Sequence, residues 1–347
     1  EFWFNKNIPS MIRDDIMMVS VVCQTYNHEK YIEKTLNGFI NQKTDFKYQV
    51  IVHDDASTDR TAEIIKKYET QYPDVIHAIY QKENQYSQDK DIVKEFILPQ
   101  ITGKYVAICE GDDYWTDSEK LQKQVDALEK HKECFFCVHR VEEVMENEEK
   151  TGVLFPPEDI ATGVISPQEF LKMTRKYSFH TSSYLFEKKR WVEYQENPPE
   201  FKTVCPVGDE AYMLYFAQLG PVYYIQDKMS CYRRGVPSSW SKIQNSGNIV
   251  EKKIKINKQM AKTILLYDEF TNHRFHDICC KRYAYYMKTI WLLEGRTKEL
   301  FESKSRELLK SFPIKHRIVL LLSALFPQVS QKIYREKLFK VNQKKGY

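Results

Sequence analysis

The chain has 347 residues, 42% hydrophobic and 29% charged, a balance that describes folded domains and excludes a disordered or fibrous chain. The net charge of +4 hides an asymmetry: residues 301–347 hold eleven Lys or Arg against three acids, so residues 1–300 sum to −4. No apolar run reaches the roughly 20 residues of a transmembrane helix, and no signal peptide is read at the start. The expectation is a cytoplasmic protein, peripheral on the cytoplasmic face of the plasma membrane.

Residues 1–17 read as an N-terminal leader. Residues 18–23 form a continuous β-branched run, the signature of a parallel strand covered on both faces. A helix is predicted over 31–40, a second strand over 48–53 and a helix over 60–72. A short strand at 75–80 and a polar stretch at 81–91 precede a helix at 92–101. A buried strand then leads into Glu110-Gly111-Asp112-Asp113, followed by a helix at 118–131. This alternation predicts a mixed, mostly parallel sheet with flanking helices. A strand is expected over 135–144, a loop over 145–168 and a short helix at 170–174. A strand after His180, a helix from 207 to 220 and two short strands at 222–225 and 229–232 follow. From about 247 onward the pattern is helical. The eight cysteines suit a reducing compartment, and Cys134-Phe-Phe-Cys137 lacks a second pair to complete a zinc site.

In a parallel sheet, ligands sit outside the carboxyl ends of the strands. Three strand ends carry polar clusters: Thr25-Tyr26-Asn27, Asp54-Asp55 and Glu110 to Asp113. Three carboxylates within four residues repel one another, and an oxygen-liganded Mg²⁺ or Mn²⁺ would relieve them. Neither a GxGxxG turn nor a GxxxxGK[ST] loop is present. The remaining crevice suits a nucleotide diphosphate: a ring beside Tyr26, a base edge read by Asp55, and a diphosphate neutralised by a cation on Asp112. That cation would act as a Lewis acid on the leaving group.

Three motifs now carry a resemblance: Val19-Ser-Val-Val-Cys-Gln-Thr-Tyr-Asn27, Val52-His-Asp-Asp-Ala-Ser-Thr-Asp59 and Gly103-Lys-Tyr-Val-Ala-Ile-Cys-Glu-Gly-Asp-Asp-Tyr-Trp115. In this order and spacing they resemble family 2 glycosyltransferases of the inverting, GT-A type, over about residues 18–235. The resemblance implies a GT-A, Rossmann-like catalytic domain over 18–240, split into a nucleotide-binding half (18–130) and an acceptor half (131–240). A helical, basic C-terminal region would occupy 241–347. Thr25, Tyr26, Asn27 and Asp55 would bind the nucleotide. Glu110-Gly111-Asp112 would be the DXD-like motif, with Asp112 as metal ligand supported by Asp113. Arg233 and Arg234 would pair with the diphosphate, and Asp209 would be the general base. Trp115, His180 and Glu210 would touch the acceptor. Arg234-Gly235 stands where many members carry a metal-binding His, and the Ala-Arg-Asn that often precedes the third motif is absent.

The expected activity is metal-dependent transfer of a sugar from a nucleotide-diphosphate donor, a UDP-sugar, to a saccharide or lipid-linked oligosaccharide in surface polysaccharide synthesis. A sugar nucleotidyltransferase would need a Gly-rich N-terminal signature with a catalytic Lys or Arg, which is missing. A non-catalytic scaffold of the same fold is the other alternative. In the tail, the run Ile318 to Phe326 is flanked by Lys315, Arg317, Lys332, Arg335, Lys337 and Lys340. It reads either as a helix lying in an anionic membrane surface or as one packed on the body or on a second subunit of a homodimer. Nucleic acid is not expected as a partner.

Overall fold

The computed structural model describes residues 16–174, 179–237, 239, 242, 246–301, 309, 312 and 314–344. The expected leader lies outside them except for Ile16 and Met17. Two compact units divide the chain: Glu1–Asn197 with Tyr215–Arg234, and Pro198–Leu214 with Gly235–Tyr347.

The first unit is built on one sheet, in which ten strands join among the described residues. They are β1 (Met17–Thr25), β2 (Lys47–Asp54), β3 (Ile76–Tyr80), β4 (Tyr105–Ile108), β5 (Tyr114–Trp115), β6 (Phe136–Met145), β7 (Lys150–Phe155), β8 (Gly163–Ile165), β9 (Leu185–Glu187) and β10 (Val222–Arg234). The main path runs β3-β2-β1-β4-β9-β6-β10-β5, with β7 on β6 and β8 on β10. The half from β3 to β4 is parallel, as the uninterrupted apolar runs require. Antiparallel β9 then joins β4 to β6, and β6 pairs in parallel with β10.

Helices α1 (Ile32–Ile40), α2 (Thr61–Gln71) and α3 (Lys120–Lys130) follow β1, β2 and β5. Leu36 and Phe39 of α1 are fully buried against Val19, Val21 and Val50 of the sheet. Truncating such a side chain costs about 2–5 kcal/mol. Helices α4 (Pro167–Thr174), α5 (Lys188–Glu196), α6 (Glu200–Val204) and α7 (Gly208–Leu219) lie along the acceptor half of the sequence.

Several elements differ from expectation for local reasons. The stretch 92–101 is a π turn (Val93–Ile97) followed by a 3₁₀ turn (Leu98–Gln100), because Pro99 has no N–H to continue a helix. The expected loop at 145–168 contains β7 and β8. Strand β7 is largely exposed and β8 only three residues long, so neither shows a readable apolar alternation. The two strands expected at 222–232 are one strand, β10. Its ladder with β6 shifts register between Ile225 and Ser230, where polar Gln226, Asp227 and Lys228 interrupt the apolar pattern.

The second unit holds α6, the start of α7, and four longer helices: α8 (Ile249–Phe270), α9 (His276–Glu294), α10 (Ile314–Leu325) and α11 (Pro327–Lys344). Asn248 caps α8 by accepting the Glu251 N–H at 3.2 Å. Phe201 of α6 meets Tyr267 of α8 edge-on, at 5.4 Å between centroids. The guanidinium of Arg282 on α9 donates to Glu210 of α7, both side chains being buried. Such a pair costs several kcal/mol to break from one side. These contacts bind the segment 198–214 to the C-terminal helices.

Candidate active site

The C-terminal end of β1 is the hub of the polar clusters in the first unit. Its Thr25 carbonyl accepts the Asp55 N–H at 3.0 Å, and its Gln24 carbonyl accepts the Gly111 N–H at 2.9 Å. Asn27 takes a left-handed backbone (φ 56°), which Asn tolerates. Its side-chain oxygen accepts the Thr58 N–H at 2.8 Å, and its own N–H donates to Ser57 Oγ at 2.9 Å. Asn27 thus ties the β1 end to the loop after β2. Tyr26 beside it is 37% exposed.

Asp55 is buried, and its two oxygens accept the N–H groups of Gln85 (2.7 Å) and Tyr86 (3.0 Å). A carboxylate has about four acceptor sites, so this bracing leaves capacity for another donor. Gly111 is forced by close approach: a Cβ there would meet Thr25 Oγ1 at 2.6 Å and His28 Nδ1 at 2.9 Å.

The acidic loop is held from three sides. Thr35 of α1 donates to the carbonyls of Gly111 (3.0 Å) and Asp113 (2.5 Å). Thr181 donates to Glu110 Oε2 at 2.7 Å. Arg233 of β10 donates its N–H to Asp113 Oδ1 at 2.8 Å and its Nε–H to the Asp112 carbonyl at 3.0 Å. The rest of its guanidinium reaches the Glu146 carbonyl and the Glu148 carboxylate. Arg234 pairs with Glu143 at 3.2 Å. Both arginines expected on a diphosphate therefore have protein partners, and Arg233 acts as the brace of the loop.

Asp113 is buried. Burial, reinforced by the charges of Asp112 and Glu110, pushes its carboxyl well above the usual range, against the pull of the Arg233 N–H. His180 Nε2 lies 3.6 Å from Asp113 Oδ2, and its ring stacks on Tyr232 at 4.3 Å. Burial lowers the His180 pKa to about 3, so this imidazole is neutral near pH 7. Trp115 is a core residue: it packs edge-on against Phe39 at 4.7 Å and donates to the Ser182 carbonyl at 3.1 Å. Buried Lys120 lies over its ring at 4.0 Å.

Among the described residues no donor is bonded to the Asp112 carboxylate, and the three acids of the loop do not converge as a closed three-ligand set. That suits a hard cation held by one or two carboxylates and completed by substrate phosphate oxygens, as Mg²⁺ or Mn²⁺ prefers. Asp209 and Glu210 stand in the other unit, in the first turn of α7. Asp209 Oδ1 accepts the Glu210 N–H at 3.1 Å, and Glu210 is engaged by Arg282. Thr35 and the brace role of Arg233 are not visible in the sequence, since a helical Thr and a strand Arg carry no pattern of their own. Thr181 adjoins His180 in the motif but gave no signal of its own.

A parallel β3-β2-β1-β4 half with polar clusters at successive strand ends, continued by antiparallel β9, is the GT-A architecture. The chain belongs to glycosyl transferase family 2, whose family model matches residues 20–192. It is 34% identical over 228 residues to the uncharacterized protein Rv1520 of Mycobacterium tuberculosis, covering 64% of this chain and 60% of that one. The chain thus spans about 60% of the length of this curated relative. It is 33% identical over 111 residues to the putative teichuronic acid biosynthesis glycosyltransferase TuaG of Bacillus subtilis, covering 32% of this chain and 42% of that one. Among solved structures, S. aureus TarS 1–349 in complex with UDP-GlcNAc superposes with a TM-score of 0.60 at 15% identity, covering 94% of this chain and 92% of that one.

The contact at Gly111 yields a direct test. Gly111→Ala is expected to lose about 1–3 kcal/mol in urea unfolding through overpacking against Thr25. It is also expected to weaken nucleotide binding, because Thr25 and the acidic loop must separate. Unchanged stability would show that the two strand ends are not in contact.

Proposed function

We propose that the chain is a metal-dependent inverting glycosyltransferase that uses a UDP-sugar donor and a saccharide acceptor, lipid-linked, in surface polysaccharide synthesis. The observation that carries it is the acidic loop fixed to the β1 end, with Asp113 held by the Arg233 N–H and an Asp112 carboxylate that no donor among the described residues holds. The relatives' names support the reading: TuaG is named for teichuronic acid biosynthesis, and TarS for poly(ribitol-phosphate) β-N-acetylglucosaminyl transfer.

In this reading Tyr26 packs on the base and Asp55 accepts from its edge, while Thr25 and Asn27 shape the floor of the crevice. Asp112, supported by Asp113, holds the cation, which when bound neutralises the departing diphosphate. Glu110, Gly111 and Arg233 keep that loop at the strand end. Asp209 takes the proton from the acceptor hydroxyl; the oxygen attacks the anomeric carbon, and the bond to the diphosphate breaks on the opposite face. His180, as a neutral imidazole, and Trp115 support the acceptor side through Tyr232 and Ser182.

The second unit adds an interaction surface. Ile318, Val319, Leu322, Leu325, Phe326, Val329 and Ile333 of α10 and α11 are all more than half exposed. Lys315 lies on α10 and Lys332, Lys337 and Lys340 on α11, the helices that carry these apolar residues. No helix among the described residues is long and apolar enough to cross a membrane. The partner that matches both features is an anionic lipid surface, with the strip in the interface and the lysines at the headgroups.

Two measurements bear on these roles. Asp209→Asn is expected to keep the thermal shift given by UDP-GlcNAc with Mn²⁺ while UDP release with saccharide acceptors falls about 10²–10⁴-fold; full turnover in the variant would remove Asp209 as base. Leu322→Asp with Phe326→Asp is expected to abolish co-sedimentation with phosphatidylglycerol vesicles. Retained sedimentation, or a change confined to the dimer fraction in analytical ultracentrifugation, would refute the lipid assignment.

A further inference from the structure

The junction of α8 and α9 holds a donor cluster unrelated to the acidic loop. Asp268 lies in the last turn of α8, His273 in the turn between the helices, and His276 at the start of α9. His273 Nδ1 and His276 Nδ1 lie 2.9 and 2.8 Å from the same oxygen, Asp268 Oδ2. The three donor atoms all fall within 4.8 Å of one another, the one such cluster of His, Cys, Asp and Glu side chains among the described residues. One helical turn further on, Cys280 Sγ is 3.4 Å from His276 Nε2 and 4.0 Å from its Nδ1.

Three features set this apart from a surface ion pair. The Asp268 side chain is only 10% exposed, and the buried Cys279 thiol is its other neighbour. Buried carboxylate oxygens normally find a donor or a cation. The turn that delivers His273 carries two consecutive residues at positive φ, Asn272 (49°) and His273 (60°), an uncommon conformation outside glycine. Finally, both imidazoles are mostly exposed, at 65% and 59%, which leaves an entry path from solvent.

We propose that Asp268, His273 and His276 bind a zinc-class divalent ion, with water completing the shell, and so clasp the end of α8 to the start of α9. Two imidazole nitrogens with one carboxylate form a three-ligand set for a borderline-soft ion, which takes water in its fourth position. The all-oxygen acidic loop, by contrast, suits a hard ion. The separations of 2.8 and 2.9 Å between Asp268 Oδ2 and each Nδ1 are hydrogen-bond lengths; a tetrahedral ion with arms of about 2.0–2.1 Å sets its donors about 3.3–3.4 Å apart, so binding opens the cluster by about half an ångström. On binding, each neutral imidazole carries its proton on Nε2, so that the Nδ1 lone pair faces the ion, and an imidazolium would first release one proton to solvent.

The test uses the whole chain, stripped with chelator and then titrated with Zn²⁺ by calorimetry, with Co²⁺ absorption as a report on geometry. The wild type is expected to take up one tight Zn²⁺ per chain and to melt at higher temperature with it. His273→Ala/His276→Ala is expected to weaken uptake by at least about tenfold, a typical size for lost metal-site partners. Its melting temperature without metal should fall, because both imidazoles bond the buried Asp268 carboxylate, so the metal effect is read as the Zn²⁺-induced rise within each protein, present in the wild type and absent in the variant. Asp112→Asn, as a control on the other site, should keep the tight Zn²⁺. Equal Zn²⁺ uptake by the wild type and the double variant, or none by the wild type, would overturn the assignment and leave a metal-free hydrogen-bonded clasp.

Discussion

Everything in the first unit depends on holding Asp113 inside the protein beside two other acids. A buried carboxylate next to like charges is unfavourable unless donors reach it. The Arg233 N–H supplies one donor, and the Arg233 side chain supplies a cation packed over the rings of Tyr31 and Tyr114 at 5.0 and 5.2 Å. Tyr31 in turn donates to Glu146 at 2.7 Å, and Lys34 pairs with Glu148. The acids at the end of β4 are thus stabilised by α1, by β10 and by the loop after β6. With Asp113 fixed, the neighbouring Asp112 is carried to the edge of the sheet beside the β1 end.

The parallel half was legible because its physics is local. Residues 18–23 and 48–53 are apolar on both faces, and only a covered parallel strand needs that. The three strand-end clusters followed from topology. The acceptor half was harder to read. Strand β10 crosses a register shift at Lys228, and β7 is an exposed edge strand, so neither shows the alternation a pattern search requires. The site was legible in residue type and less so in partnership. Asp55 was read as a reader of a base, but its present hydrogen bonds go to Gln85 and Tyr86. Arg233 is expected on a phosphate, and long-range pairing gives it the Asp112 carbonyl and the Glu146–Glu148 loop as partners, which the sequence does not show. Contacts across more than 80 residues of sequence leave no local trace.

The second unit follows a different principle. Its helices pack on a small apolar cluster of Ala284, Trp291, Phe312 and Leu320 and on specific pairs such as Arg282 with Glu210 and Trp291 Nε1 with Glu299 at 3.2 Å. Its last two helices hold seven Lys or Arg against the single acid Glu336, so the positive excess of the sequence falls within that unit. Glu210, adjacent to Asp209, is fixed by a helix from the C-terminal region. The first turn of α7 is therefore set by residues more than 70 positions away, and changes in α9 can be felt at Asp209.

The central claim is that the acidic loop captures a cation only together with a nucleotide diphosphate, through Asp112. Electron paramagnetic resonance of free Mn²⁺ measures this directly. With UDP present, the wild type should deplete the free Mn²⁺ signal, and Asp112→Ala should leave it at the level set by UDP alone. Equal depletion by both proteins, or strong Mn²⁺ capture by the wild type without UDP, would contradict the account.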